Sequence, residues 1–203
     1  MPLHTSILLA TTNPGKLKEF RELMPRENDA GTLLCLEDLP SLPAPEESGS
    51  TFLQNARIKA LYYSRAFPEL VVVAEDTGLV VTALKGAPGV RSARFAGLPS
   101  SDTRNVHVLL KRMRGVRNRS ARFVTQAVVA REGKELFNCR GEVKGRILKE
   151  PRGDGGFGYD PVFYYHPYRR SFAQLGSDEK NRISHRGRAM AEVSRFLFFL
   201  AVG

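Results

Sequence analysis

The stretch Val71-Val72-Val73-Ala74-Glu75-Asp76-Thr77-Gly78 constrains this chain more than any other. Its four leading apolar residues, three of them β-branched, read as a buried strand. That strand delivers two adjacent carboxylates and a hydroxyl, and a glycine closes it. Acids at the end of an apolar strand are costly unless a cation meets them, either a divalent metal or a basic side chain. The plain alternative is a strand end whose acids reach solvent, and this stretch alone leaves both open.

With 203 residues the chain is long enough for one substantial core or two small lobes sharing one. A hydrophobic content of 42% suits a globular protein. Phe196-Leu197-Phe198-Phe199-Leu200 is too short to cross a bilayer, and no signal peptide is evident. Cys35 and Cys139 are the two cysteines, too few and too far apart for a disulfide framework or a zinc site. The expected location is the cytoplasm, with no membrane partner.

The formal net charge of +10 favours polyanionic partners, nucleic acid or phosphorylated small molecules. Seven cations between Arg104 and Arg122 (Arg104, Lys111, Arg112, Arg114, Arg117, Arg119, Arg122) stand without an acid or an aromatic residue among them. A stacking platform for single strands is therefore missing, and a solvated basic face is the preferred account of the run.

Thr5 to Ala10 reads as a first buried strand, running into Thr11-Thr12-Asn13-Pro14-Gly15-Lys16 and then a helix carrying Leu17, Phe20 and Met24 at helical spacing. Pro14 suits a helix start. Free N–H groups there, with Lys16 in the first turn, form a recurring phosphate-binding arrangement, although this is not a Walker A loop. Thr32 to Leu36 reads as a second strand, and the proline-rich segment Leu39 to Gly49, with Glu46 and Glu47, as a loop. Thr51 and Gln54 form a capping box before a helix that buries Leu53, Ala56, Ala60, Tyr63 and Phe67. On another side of that helix Asn55 and Lys59 lie one turn apart, and Lys59 by itself reads as a surface lysine.

Beyond the central strand, Leu79 to Leu84 is expected to continue extended and Lys85 to Gly89 to turn. A helix is expected over Asp102 to Arg114, with Val106, Leu109, Leu110 and Met113 inward and Gly115 as its stop. Arg122 to Ala130 and Glu135 to Gly141 read as a hairpin turned at Glu132-Gly133-Lys134. Arg152 to Pro161 is the densest glycine segment; it lets backbone approach a ligand, with Phe157 or Tyr159 offering a flat face to a base. A strand Val162 to Tyr165 follows. The last helix, with Ser184 as N-cap, buries Ala189, Val193, Phe196, Leu197 and Leu200. His185 and Arg186 in its first turn oppose the helix dipole, as expected of residues placed for a ligand.

Laid side by side, these segments resemble the inosine triphosphate pyrophosphatase family. The matching pieces are Ala10 to Lys16, Glu46-Glu47-Ser48-Gly49, Thr51-Phe52, Asn55-Ala56, Ala74 to Leu79, Gly86 to Gly89 and Ser92-Ala93-Arg94. They continue through Gly155 to Pro161, Ser177 to Asn181 and Ile183 to Arg186. Any one is weak, but the ordered set spans nearly the whole chain. The resemblance implies an α/β fold, a long curved mixed β-sheet with flanking helices forming two lobes around a central cleft (Maf/ITPase-like). It implies a single domain over residues 1–203, a homodimer, and hydrolysis of ITP, dITP or XTP to monophosphate and diphosphate with Mg²⁺. Thr12 stands where many relatives carry another residue, and Gln174 where relatives often carry Glu; no role is assigned to Gln174.

By the same resemblance, Thr11, Thr12, Asn13, Pro14, Gly15 and Lys16 would cradle the triphosphate, with Lys59 as a second charge. Asp76 matches the general base, Glu75 would assist the metal, and an acid from Glu46 and Glu47 would complete the Mg²⁺ site. Thr77 matches a small hydroxyl residue at the substrate. Phe157, Gly158, Tyr159, Asp160, Lys180, His185 and Arg186 match the nucleoside pocket. Water activated beside the metal would attack the α-phosphorus while Asp76 takes its proton and the lysines stabilise departing diphosphate. Donors aimed at the purine O6 would reject adenine, whose amino group leaves two donors facing each other. Two other readings are a Maf-type pyrophosphatase acting on pyrimidine or modified nucleotides, and a basic nucleic-acid-binding protein. The second is disfavoured, and it predicts steeply salt-dependent binding with no role for Asp76.

Overall fold

Short apolar runs form the first strands, Ile7–Leu9 and Leu33–Cys35. The computed structural model describes residues 6–24 and 32–202, with side chains to residue 200. In chain order the elements are β1 (Ile7–Leu9), α1 (Pro14–Leu23), β2 (Leu33–Cys35), α2 (Phe52–Ala66), β3 (Val71–Val81) and α3 (Asp102–Arg112). They continue with β4 (Ser120–Arg131), β5 (Lys134–Ile147), β6 (Phe163–Tyr165), β7 (Arg170–Ser171), α4 (Ser177–Ile183) and α5 (His185–Val202). Among the described residues the strands form one sheet of order β2-β1-β3-β4-β5-β6-β7. β1 lies parallel to β2 and β3, whereas β6 is antiparallel to β5 and β7, so the sheet is mixed. This is the α/β class expected, a mixed sheet with flanking helices.

Several boundaries differ from the sequence reading. β3 does not close at Gly78 but runs to Val81, and Thr82–Leu84 then form a 3-10 turn where extended chain was expected. The acids therefore sit inside a strand rather than at its end. The hairpin strands are longer than expected, and the chain turns on Glu132 and Gly133, both at positive φ (53° and 71°), the type I′ geometry that matches strand twist. α3 ends at Arg112 with Met113 as its cap. α4 was not foreseen; Glu179 accepts a hydrogen bond from the Gly176 N–H at 3.1 Å and so ties off its first turn. Thr5, placed in the first strand by sequence, lies outside the described residues. Neither Cys35 nor Cys139 forms a disulfide.

The chain divides into two compact units. The first takes the residues up to Asp76, Thr125–Gly141 and the residues from Gly187 on. Its sheet face bearing Ile7, Leu9, Val71 and Val73 packs on Leu17 and Phe20 of α1 and on Ala189, Met190 and Val193 of α5. The other face, with Leu8, Ala10, Val72 and Ala74, packs on Ala56, Ala60 and Tyr63 of α2. Leu53 and Phe67, expected in that stripe, are half-buried at its margin. The second unit, Thr77–Val124 with Glu142–Arg186, closes around Leu79, Leu109, Met113, Phe123, Ile147, Phe163 and Phe172. Leu109 and Met113 are fully buried and Leu110 is half-buried, which orients α3 as its periodicity predicts.

Candidate active site

Period two decides what happens at Glu75 and Asp76. Along β3, Val71 and Val73 belong to one face and Val72 and Ala74 to the other, so Glu75 continues the first face and Asp76 the second. Each acid thus meets a different helix. Glu75, 1% exposed, is paired by Lys16 of α1 with Nζ to Oε1 at 3.1 Å. Asp76, 7% exposed, accepts a hydrogen bond from Asn55 Nδ2 of α2 at 3.1 Å. Of the two alternatives left open, acids that reach solvent is the one that fails, because cations and an amide make their burial tolerable. Burial is the main force on Asp76 and pushes its pKa above the ordinary carboxylate value. The charges of Lys59 and Lys16 and the Asn55 hydrogen bond pull it down, and Glu47 adds a smaller upward push.

The helix starts are built as the sequence indicates. Asn13 caps α1, its Oδ1 accepting the Lys16 N–H at 3.0 Å, and Pro14 occupies the first turn. The Asn13 N–H donates to Thr11 Oγ1 at 3.2 Å, which folds the 11–16 segment over the helix start. Thr12, Asn13 and Pro14 are exposed, and Thr11, Gly15 and Lys16 half-buried. The Thr51–Gln54 capping box forms with both its hydrogen bonds, at 3.2 and 3.1 Å.

Lys59 is no solvated surface lysine: it pairs with Glu47 at 3.2 Å, and its side chain is only 13% exposed. One turn earlier Asn55 Oδ1 accepts the Gly49 N–H at 2.8 Å. α2 therefore holds the 47–49 loop at two points. A Cβ at Gly49 would stand 2.6 Å from Asn55 Oδ1, so the close approach requires glycine. Asn55, given no role from sequence, is the joint between this loop and Asp76. Its burial one turn before Lys59, on a helix side away from the apolar stripe, was the available signal. Glu46 is exposed, and no ion pair to it is present among the described residues.

In the second unit the glycine-rich segment is tied down from several sides. Asp160, 2% exposed, accepts the Phe157 N–H at 2.9 Å and forms a buried ion pair with Lys180. Gly156 has φ 69°, and a Cβ there would run into the Asp160 carboxylate. The Gly158 N–H donates to Asp102 Oδ2 at 2.7 Å, and Tyr159 Oη donates to the Ser92 carbonyl at 2.9 Å. Burial pushes the Tyr159 phenol well above its ordinary value. Tyr159 and Asp160 are thus supports under the loop, whereas Phe157 is half-buried, with Lys180 Nζ 5.0 Å and the Arg186 guanidinium 5.5 Å from its ring centre. His185, 3% exposed, stacks on Phe123 with centroids 4.7 Å apart and planes at 13°. Thr77 is half-buried. Ser92 and Asp102 were missed from sequence because each contact runs through a backbone group, the Ser92 carbonyl and the Gly158 N–H, which leaves no mark in residue pattern.

The structure brings together Lys16, Lys59, Glu47, Glu75 and Asp76 in the first unit, and Phe157, Asp160, Lys180 and Arg186 in the second. Among the described residues no three Asp, Glu, His or Cys side chains gather into a ready-made metal cage. Magnesium does not need one, since it is commonly held by one or two carboxylates together with substrate phosphates. The hard oxygens of Asp76 and Glu47 are of the right chemistry.

The dITP/XTP pyrophosphatase of Acidobacterium capsulatum is 46% identical over 193 residues, covering 91% of this chain and 94% of that protein. That of Bacillus anthracis is 44% identical over 191 residues, covering 92% and 93%. Among solved structures, a Ham1 protein from Coxiella burnetii matches with a TM-score of 0.86 at 37% identity over 96% of this chain and 98% of that one. The Staphylococcus aureus Ham1 protein matches with a TM-score of 0.84 at 36% identity over 95% and 98%. A family model described as the Ham1 family spans residues 7–196, from the first strand through most of the last helix, and this chain belongs to that family.

Proposed function

We propose that this protein is a nucleoside triphosphate pyrophosphatase that hydrolyses deaminated purine nucleotides (ITP, dITP, XTP) to the monophosphate and diphosphate. The observation that carries the reading is the convergence of Lys16, Lys59 and Glu47 on the buried Asp76, whose pKa responds to all three. The A. capsulatum and B. anthracis relatives are dITP/XTP pyrophosphatases, which supports the reading.

Magnesium, when bound, neutralises polyphosphate charge and makes a nearby water more acidic. Asp76 and Glu47 are the residues to hold it; Glu47 is preferred to Glu46 because it faces Lys59 and adds to the field at Asp76. Asp76 accepts the proton of the attacking water, and its raised pKa suits it to that task. Asn55 orients its carboxylate. Glu75 aims Lys16, and Lys16 and Lys59 take the charge of the leaving diphosphate. The 11–16 segment binds the phosphates through backbone N–H groups.

Phe157 offers its ring to the base, while Lys180, His185 and Arg186 supply the polar surroundings that favour O6 over an amino group. Asp160 is assigned to hold Phe157 and Lys180 rather than to touch substrate. The proposed assembly is a homodimer, for which the exposed Phe198 and Phe199 of α5 offer apolar surface. The proposed location is the cytoplasm; no helix among the described residues is long and apolar enough to cross a membrane.

The test is diphosphate release from ITP and ATP with Mg²⁺, by the wild type and by Asp76→Asn. ITP should be strongly preferred, and the variant should lose about 10²–10⁴-fold in rate while staying folded. Equal rates on the two nucleotides would remove the O6 argument, and an active variant would remove Asp76 as base.

A further inference from the structure

The Arg104–Arg122 run contains something other than a solvated face. Where α3 ends and β4 begins, the second unit has a pocket of about 740 Å³, lined by His107, Lys111, Arg114, Arg117, Arg119 and Lys149 over a floor that includes Leu110, Met113 and Val116. No carboxylate lines it. That volume falls in the range of small-molecule sites.

Elsewhere several arginines are neutralised by carboxylates: Arg57 pairs with Glu135, Arg122 with Glu142, Arg170 with Glu179 and Arg195 with Glu192. Around the pocket, none of Lys111, Arg114, Arg117, Arg119 and Lys149 is in an ion pair with a carboxylate among the described residues.

Arg119 is the anchor. Its Nε donates to the Ile147 carbonyl at 2.6 Å, Nη1 to that of Met113 at 2.8 Å and Nη2 to that of Leu148 at 2.6 Å. Those bonds fix the guanidinium, satisfy the end of α3, and leave two N–H groups and the whole positive charge. Burial and the neighbouring Arg146 both disfavour that charge, and no acid offsets them. A partly buried, rigid cation ringed by four flexible ones, with no counter-charge, is an anion site in all but the anion.

We propose that this pocket binds a small polyphosphate anion, a free di- or triphosphate or the polyphosphate end of a nucleotide, through Lys111, Arg114, Arg117, Arg119 and Lys149. It uses none of the residues assigned to hydrolysis. The absence of Phe, Tyr and Trp from the lining argues for recognition of phosphate rather than base, and for a compact ligand rather than a single strand.

The experiment is titration calorimetry with inorganic triphosphate and inorganic diphosphate, without metal, at low salt. It compares the wild type, a Lys16→Ala/Lys59→Ala protein and a Lys111→Glu/Arg117→Glu protein; Arg119 is kept so that the fold is not disturbed. Binding should persist in the Lys16/Lys59 variant and weaken at least about tenfold in the Lys111/Arg117 variant, since each charged hydrogen bond is worth roughly that much. Turnover of ITP by the Lys111/Arg117 variant should match the wild type. ITP and free triphosphate binding equally tightly in the Lys16/Lys59 variant would mean that only the phosphates are read. If the Lys111/Arg117 variant binds both anions as the wild type does, the proposal is wrong. It is equally wrong if those anions fail to bind the Lys16/Lys59 variant while a DNA oligonucleotide does, for the pocket would then be part of a nucleic-acid face.

Discussion

Replacing Lys16 by methionine is the perturbation that most directly probes how β3 tolerates its acids. Lys16 Nζ stands 3.1 Å from Glu75 Oε1, with the Glu75 side chain wholly buried and that of Lys16 15% exposed. At an effective dielectric constant near 20, charges at that separation attract by about 5 kcal/mol. Desolvation offsets much of this in the intact pair, but a carboxylate left behind keeps its own desolvation cost. Breaking a buried pair typically costs about 3–5 kcal/mol. Glu75 makes other contacts, so the lower figure applies, about 3 kcal/mol, which for a chain of this size lowers Tm by roughly 6–12 °C.

The assay is thermal unfolding of Lys16→Met, Glu75→Gln and the double variant. The double variant should be more stable than the sum of the single losses predicts, by about 1 kcal/mol or more, because removing both charges leaves neither stranded. Additivity within about 0.5 kcal/mol would refute the reasoning and reduce the contact to the weight of a surface salt bridge.

Asn55→Leu keeps the branching of the side chain but takes away the donor to Asp76 and the acceptor for Gly49. Since the Asn55 hydrogen bond lowers the Asp76 pKa, the acid limb of the pH dependence of kcat/KM should move to higher pH, and an unmoved limb would show that Asn55 does not support the base. Arg57→Met tests a pair outside the site. The hydrogen bond from Arg57, at 2.5 Å, is the main cause holding the Glu135 carboxyl below its ordinary range. A depressed acid stabilises the fold at pH values above its unfolded pKa and ceases to do so as pH falls through the folded one. The wild type should therefore exceed the variant in Tm at neutral pH, by the worth of at most about 1 kcal/mol for so exposed a pair. The gap should close in acid; a gap that persists there would assign it to packing of the Arg57 stem instead.

Much of this fold could be read in the residues. The capping box of α2, Pro14 at the start of α1, the apolar stripes of α3 and, except for the exposed Leu200, of α5, and the Glu132-Gly133 turn are local signals, and local chemistry decides them. What escaped was decided by partners distant in sequence. Taking β3 to end at Gly78 hid the alternation that sends Glu75 to α1 and Asp76 to α2, although Leu79-Val80-Val81 continues the same β-branched character. Lys59 looked like a surface residue because the loop carrying Glu47 has no periodicity to place it. Tyr159 and Asp160, read as nucleoside contacts, also brace their own loop through Ser92, Lys180 and Phe157, a use that spacing cannot reveal. The arginine-rich run read as uniform, yet Arg119 differs from its neighbours because three carbonyls from two other segments converge on it.

The charge arrangement around Asp76 also gives a physical reason for the proposed use of a metal. Glu47, Glu75 and Asp76 carry three negative charges against the two of Lys16 and Lys59, and each lysine is already engaged with a glutamate. A nucleoside triphosphate arriving alone brings further negative charge into surroundings that burial has made poor at screening it. For a lysine to turn from its glutamate to a phosphate, something must neutralise the carboxylate it leaves, and a divalent cation travelling with the nucleotide would do so. The expectation is that ITP binds the hydrolysis-deficient Asp76→Asn protein at least about tenfold more tightly with Mg²⁺ than with EDTA, one charge-assisted contact being worth that much. Neutralising Glu47 as well, with Glu47→Gln, should narrow the difference, because less negative charge then opposes the bare triphosphate. Fluorescence or calorimetric titration reads both. Equal affinity with and without Mg²⁺ in the Asp76→Asn protein would mean that the two lysines suffice for the polyphosphate and that the acids serve only to position them.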